Sequence, residues 1–313
     1  MGTGKTEMGR GEKMTHLIKT MGELHADYIA YTATVDEVCF DWGKWMPALG
    51  EKMRPMVPGE LAFFIGDTGT GKTAVLQSIA MAANPLEVLF CEMELPGTLC
   101  FERFAAIHTG ISCKQVEQDY RQSDHRDDLA RLDPYKPPHH IKVCDSSRID
   151  ENDLPMLIEE TFPSKFGYKP CLVMVDYIGL MSSKGSKPYE RVARAAQELK
   201  RVAKATNTII MCVSQVHRMG EHKAENVGLH SAKNAGEIEE SAGIMFGLER
   251  EEDDTLLVKC LKSTKDGGGH NVLCHFDGPT MRITQSRHQP RNTHETEIPT
   301  NNGDIEDFDD VGF

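Results

Sequence analysis

GDTGTGKT at residues 66–73 decides the fold of this chain. It matches the full G-x-x-x-x-G-K-[ST] pattern, and the apolar run LAFFI just before it, at 61–65, reads as a buried strand. A phosphate-binding loop needs both the strand and the early glycine, because its backbone must turn tightly enough for successive N–H groups to converge on phosphate oxygens where a helix begins. The helix-compatible run TAVLQSIAMAA follows directly. The letters GTGKT also stand at residues 2–6, but neither a strand nor an earlier glycine precedes them, so this copy reads as a coincidence in a flexible leader. MGTGKT fits the N-myristoylation pattern too, although nothing else in the segment supports an anchor.

Outward from the loop, strand-like and helix-like runs alternate. After LAFFI come EVLFCEMEL, HIKVCDS, CLVMVDYIGL and TIIMCVSQV, separated by helical stretches such as LPMLIEETF and YERVARAAQELKRVAKAT. The apolar runs are short and nearly continuous, as in strands covered on both faces, so the expected class is α/β with a mostly parallel central sheet flanked by helices. Beyond about Gly243 the pieces IMFGLE, TLLVKCLKST and NVLCHFD read as a C-terminal β-hairpin region at the edge of the sheet. Residues 1–14 form a polar, glycine-rich leader read as disordered, and 15–58 an amphipathic helix with an irregular connector. The core is expected over 59–285, and 286–313 form a disordered acidic tail. In the second segment Leu17, Met21, Leu24 and Tyr28 fall at helical spacing and need something to pack on.

Composition narrows the class. Of 313 residues, 39% are hydrophobic and 27% charged, as in soluble globular proteins, and no apolar run is long enough to span a bilayer. The N-terminus has no apolar signal region, and nine scattered cysteines without a C-x-x-C pair argue against disulfides and zinc, so a cytoplasmic protein is expected. A net charge of −13 argues against a general nucleic-acid surface, yet five of the acids (Asp304, Glu306, Asp307, Asp309, Asp310) sit in the tail DIEDFDDVGF, leaving room for a local basic channel.

With Gly66, Asp67, Thr68, Gly69, Thr70 and Gly71 forming the loop, Lys72 and Thr73 are placed to hold a nucleoside triphosphate such as ATP and its Mg2+. A carboxylate ending a parallel strand should complete the metal shell, and CLVMVDY supplies Asp176. A second carboxylate is needed to orient water. LFCEMELP offers Glu92 and Glu94, which strand alternation puts on one face, so spacing leaves both open. IIMCVSQVHR ends its strand on Ser214 and Gln215, and an amide there can hydrogen-bond a γ-phosphate in one nucleotide state only.

The ordered set GELAFFIGDTGTGKT, EVLFCEMELP, LVMVDYIGLM, ELKRVAKATNTIIMCVSQVHR, AGEIEESAGIMFGLER and KDGGGHNVLCHFDG resembles the RecA-like ATPase domain of DnaB-type replicative helicases, from about residue 59 to 284. The resemblance implies an ATP-hydrolysing DNA helicase, a ring-shaped homo-hexamer on single-stranded DNA, encoded by a compact phage or plasmid replication system. It places the water-activating role on Glu94, the metal aspartate on Asp176 and the sensor pair on Ser214 and Gln215. Where the family has an arginine finger this sequence has Lys265, with Lys262 nearby, which offers a point charge rather than a planar fork. Loop matches imply DNA-phosphate contact by Lys233, Asn234 and Gly236, and by Lys184 and Lys187 in a second loop. The family's N-terminal collar has no counterpart, so assembly is expected to rest on the core and on the helix around Leu17 to Tyr31. The acidic tail ending in Phe313 is expected to recruit a polymerase, a primase or another replication protein. A RecA- or RadA-type recombinase or mediator and a KaiC-like regulatory ATPase share this core and stand as alternatives.

Overall fold

The computed structural model describes residues 18–123, 132–136, 138–150, 152–181, 187–215, 235–251 and 254–287. Nine strands form one sheet: β1 (Leu61–Gly66), β2 (Val88–Glu92), β3 (Ile141–Asp145), β4 (Leu172–Asp176), β5 (Ile209–Gln215), β6 (Ile244–Arg250), β7 (Thr255–Ser263), β8 (Asn271–Asp277) and β9 (Arg282–Gln285), in the order β3-β2-β4-β5-β1-β6-β7-β8-β9. Pairing is parallel from β3 to β6 and antiparallel from β6 to β9. IMFGLE, expected among the edge hairpins, is β6, which forms the antiparallel hairpin with β7 but also pairs in parallel with β1, so it joins the two parts of the sheet instead of lying at its edge. Its first five residues are buried, which an edge position would not require.

Helices cover both faces, and strand alternation assigns the residues. Ala62 and Phe64 of β1 pack with Val75, Leu76 and Ile79 of α2, the α2 helix being Lys72–Ala82. Leu61, Phe63 and Ile65 pack on the other face with Ala196, Leu199 and Val202 of Pro188–Thr206, here α5. The remaining helices used below are α1 (Met21–Val38), α3 (Gly97–Thr109), α4 (Cys113–Gln122) and α6 (Ala235–Ser241).

The tryptophan-bearing connector, with short helical turns at Trp42–Lys44 and Pro47–Gly50, belongs to the core. Phe40 bridges to Met56, and Trp42, Met46 and Leu49 are buried. Trp42 packs edge-on against Phe246 at 4.9 Å between ring centroids, and Phe246 stacks on Phe64 at 5.0 Å. Each such side chain contributes about 1.5–3 kcal/mol by burial, which outweighs the absence of regular backbone pairing.

Helix α1 starts on a capping box in which Thr20 and Glu23 exchange hydrogen bonds. None of its residues is buried, and Met21 is 80% and Tyr28 63% exposed. The apolar stripe read from the sequence thus finds no cover among the described residues.

Helix α3 is tied at both ends to opposite edges of the sheet. Gly97 N–H donates to Asp145 Oδ2 of β3 at 3.0 Å, and Arg282 of β9 donates to the carbonyls of Ile107 and His108 at 2.8 Å each. The cation satisfies carbonyls that a helix end leaves unpaired.

Candidate nucleotide site

At the C-terminal end of β1 the chain turns over its own strand before α2 begins. Gly71 caps α2 with φ +91°, and a Cβ there would stand 3.0 Å from the Phe276 ring. At Gly66 a Cβ would meet Thr70 Oγ1 at 2.8 Å and the Leu248 carbonyl at 2.9 Å, so both positions of the motif require glycine. Thr70 Oγ1 donates to the Asp67 carbonyl at 2.9 Å and pins the turn. Lys72 folds its ammonium onto the loop, donating to Asp67 O at 2.6 Å and Gly66 O at 3.1 Å. Burial lowers its pKa, opposed by the charges of Asp176, Glu94 and Asp67. A phosphate oxygen is a better acceptor for an ammonium than a neutral carbonyl is.

Above the loop lies a cavity of about 270 Å³. Thr68, Gly69, Gly71, Lys72 and Thr73 form one wall, and Glu94 from the turn after β2, with Asp176 and Gln215 at the ends of β4 and β5, reach it. Gln215 pairs in register with Gly66, which explains its place beside the loop. Asp176 is 1% exposed. Its carboxyl is pushed up to about 7, first by burial and then by the charge of Glu92, while a hydrogen bond from Thr73 works the other way. Asp176 Oδ2 has no hydrogen-bond partner among the described residues. A buried carboxylate oxygen without a partner, beside a threonine hydroxyl at a helix start, suits the hydrated shell of a divalent cation.

The two glutamates left open by spacing occupy different places. Glu92 is the last residue of β2 and is fully buried, whereas Glu94 lies beyond the strand, is exposed and lines the cavity.

Lys265 and Lys262 sit at the other end of the strands. The turn after β7 lies beside the start of β6, because Ser263 pairs with Ile244. Lys265 Nζ donates to Glu60 Oε2 at 2.9 Å and to the Pro55 carbonyl at 3.1 Å, and Lys262 Nζ donates to the Glu239 carbonyl. The length of β1, six residues, separates Glu60 from the phosphate loop by roughly 20 Å at about 3.3 Å per residue. Neither lysine reaches the loop of its own chain.

Of the expected DNA-contacting residues, Gly236 falls on α6 and Lys187 is the exposed N-cap of α5. Lys184, Lys233 and Asn234 lie outside the described residues, as do the leader and the tail from 288 on. Sequence reasoning missed Arg103, Arg250 and Phe276, which also line the cavity. The Arg250 guanidinium lies 4.6 Å from the centroid of the Phe276 ring, a cation–π contact that gives the cavity a flat wall. Arg250 was findable: it ends the strand next to β1, where every parallel strand delivers its last residue to the loop.

Residues 46–295 match the family described as DnaB-like helicase C terminal domain. A replicative DNA helicase DnaB of Treponema pallidum is 27% identical over 225 residues, covering 68% of this chain and 49% of that protein. A probable plasmid replicative DNA helicase of Chlamydia trachomatis is 23% identical over 233 residues, covering 71% of this chain and 50% of the other. The chain thus spans about half the length of the curated relatives it matches. Among solved structures, an ATPase domain aligns with a TM-score of 0.73 at 16% identity, over 86% of this chain and 99% of the other. A DnaB-like replicative helicase, solved to show its interactions with primase, aligns with a TM-score of 0.64 at 17% identity, over 73% of this chain and 59% of the other. Both share the fold, RecA-like in the sense read from the sequence, and the span of the family match leads to one conclusion: the chain belongs to the DnaB-like helicase C-terminal domain family.

Proposed function

We propose that this chain is the ATP-driven motor of a replicative DNA helicase, moving along single-stranded DNA as a ring-shaped homo-hexamer. The observation that carries this reading is the division of charge along β1, with Lys72, Asp176 and Glu94 gathered at one end and Lys265 held at the other. Such a division suits a site shared between neighbouring copies.

Lys72 and the backbone N–H groups of the loop hold the phosphates of ATP, and Thr73 with Asp176 holds Mg2+. When bound, the ion neutralises charge that develops on the transferred phosphoryl group. Glu94 orients the attacking water, and Gln215 reports the γ-phosphate from the end of β5. Arg250 and Phe276 offer a stacking wall for the base. Lys265, with Lys262 beside it, serves the nucleotide of an adjacent subunit and must leave Glu60 to do so. The exposed stripe of α1 docks on a neighbouring copy, which would cover Met21, Leu24 and Tyr28. Lys184, Lys187, Lys233, Asn234 and Gly236 contact DNA phosphates, so binding is insensitive to sequence. The acidic tail from Asp304 to Phe313 recruits a primase or polymerase.

Single-stranded DNA should stimulate ATP hydrolysis, and the protein should separate a forked duplex in an ATP-dependent way. Strand exchange without unwinding would select a recombinase instead. Hydrolysis indifferent to DNA would select a regulatory ATPase.

A further inference from the structure

Glu92 is unused by the reading above, and its surroundings are unusual for a residue with nothing to do. It ends β2 fully buried, opposite Asp176 in the parallel register of β2 and β4. Its Oε1 accepts two backbone N–H groups, from Glu94 at 3.0 Å and from Leu95 at 2.9 Å. Its Oε2 has no hydrogen-bond partner among the described residues. Behind it, Gln77 of α2 is also fully buried, with Nε2 donating to Cys100 Sγ of α3 at 3.8 Å and Oε1 without a partner among the described residues. The Cys100 thiol is pushed up to about 12 by burial and by the neighbouring Glu92 charge. Polar side chains from α2, β2, β4 and α3 therefore meet in a buried layer next to Asp176.

A leucine at position 92 would fill this layer without desolvating a carboxylate, a cost that stability alone does not justify. The two amide bonds identify the return. They fix the backbone where the chain leaves the sheet, so that the exposed Glu94 side chain springs from a rigid turn instead of a loose one. A displacement of about 1 Å in a water-orienting group costs on the order of a hundredfold in rate.

We infer that Glu92 is a positioning residue for Glu94, clamping the turn that carries the water-orienting carboxylate over the nucleotide cavity. The inference rests on the role proposed for Glu94. Of the two glutamates, the buried one holds the backbone and the exposed one meets the water.

The test uses the full chain with ATP, Mg2+ and single-stranded DNA, comparing Glu92→Leu, Glu92→Gln and Glu94→Gln. Steady-state kinetics are measured alongside equilibrium binding of a non-hydrolysable ATP analogue with Mg2+. Glu92→Leu should lower kcat roughly 10- to 100-fold while KM and analogue affinity stay within about threefold and the melting temperature does not fall. Glu92→Gln keeps an acceptor for the two N–H groups and should recover kcat to within about threefold of the parent. Should Glu92→Leu fail to fold, Glu92→Ala takes its place with the same expectation for kcat, KM and analogue affinity, and with a lower melting temperature from the cavity it leaves. The inference is overturned if the Leu or Ala variant turns over at the parent rate, if analogue binding is lost in step with kcat, or if Glu92→Gln is as inactive as Glu92→Leu. Parent-like hydrolysis by Glu94→Gln would remove the role of Glu94 and the inference with it. An inactive Glu94→Gln beside a fully active Glu92→Leu would remove the inference alone.

Discussion

The two ends of β1 treat charge in opposite ways. At the loop end Asp176 and Glu92 are buried in register, each with an oxygen lacking a partner among the described residues, and the Lys72 ammonium rests on neutral carbonyls. At the other end Lys265 is paired with Glu60, and Arg54 with Asp266 at 3.1 Å. One end is arranged at a cost to the folded chain that the proposed nucleotide and ion would offset. The other is closed by ion pairs within a single chain, and the role proposed for Lys265 in a neighbouring site would require the Glu60 pair to break. The proposed chemistry falls where stability is worst served.

The sharpest way to break this contrast is at Lys72. Lys72→Ala should reduce ATP hydrolysis by at least about a hundredfold, because the site loses the cation that meets the phosphates. Steady-state hydrolysis with and without single-stranded DNA checks it, and substantial residual turnover would mean that the loop end is not the site of chemistry.

Lys265 tests whether the two ends meet across subunits. Lys265→Ala should lower hydrolysis by roughly 10- to 1,000-fold. Mixing it with inactive Glu94→Gln should restore part of the activity at hybrid interfaces, where an intact Lys265 faces an intact Glu94. Verified mixed rings without any recovery would separate the two ends for good.

The smallest effect is on stability, and its sign is the informative part. The Asp176 carboxyl, near 3.8 when unperturbed, is raised to about 7 in the folded chain. The folded state thus holds a proton that the unfolded state has released between about pH 4 and pH 7. The stabilising contribution is fully present below the lower value and is lost as pH rises through the upper one, a change of about 4 kcal/mol at most by linkage. Asp176→Asn should therefore raise the melting temperature of the nucleotide-free protein at pH 8 by a few degrees, about 2–6 °C, with the gain shrinking towards pH 5. Lys265→Ala should shift it down or not at all, since a partly exposed ion pair is worth about 1 kcal/mol or less. Thermal scans across pH would distinguish the two ends without measuring any catalysis.

Much of the loop end was legible because its markers are local. LAFFI, CLVMVD and IIMCVSQ announce strands by continuous apolar runs, and in a parallel sheet each strand delivers its last residue to the same edge. Spacing alone could not tell Glu92 from Glu94, and only the family resemblance chose between them, because period-two alternation holds only inside a strand and β2 stops at Glu92. The other end was less legible. Glu60 and Lys265 are 205 positions apart in the sequence, and no short pattern announces such a pairing. Phe40, Trp42, Met46, Leu49 and Met56 sit among prolines and charges without a period, so a buried segment reads as a connector.

The ties at the ends of α3 have a mechanical consequence. Nine strands leave eight gaps, which at about 4.8 Å each would lay the upper edge of the sheet over roughly 38 Å if it were straight. Helix α3 has 13 residues and is about 20 Å long, yet it joins Asp145 on one outer strand to Arg282 on the other. The edge must bend to meet it, like a bow to its string. Glu94 sits where the string is knotted, three residues before α3 begins. Any flattening or tightening of the sheet's curl is therefore felt as tension at that knot.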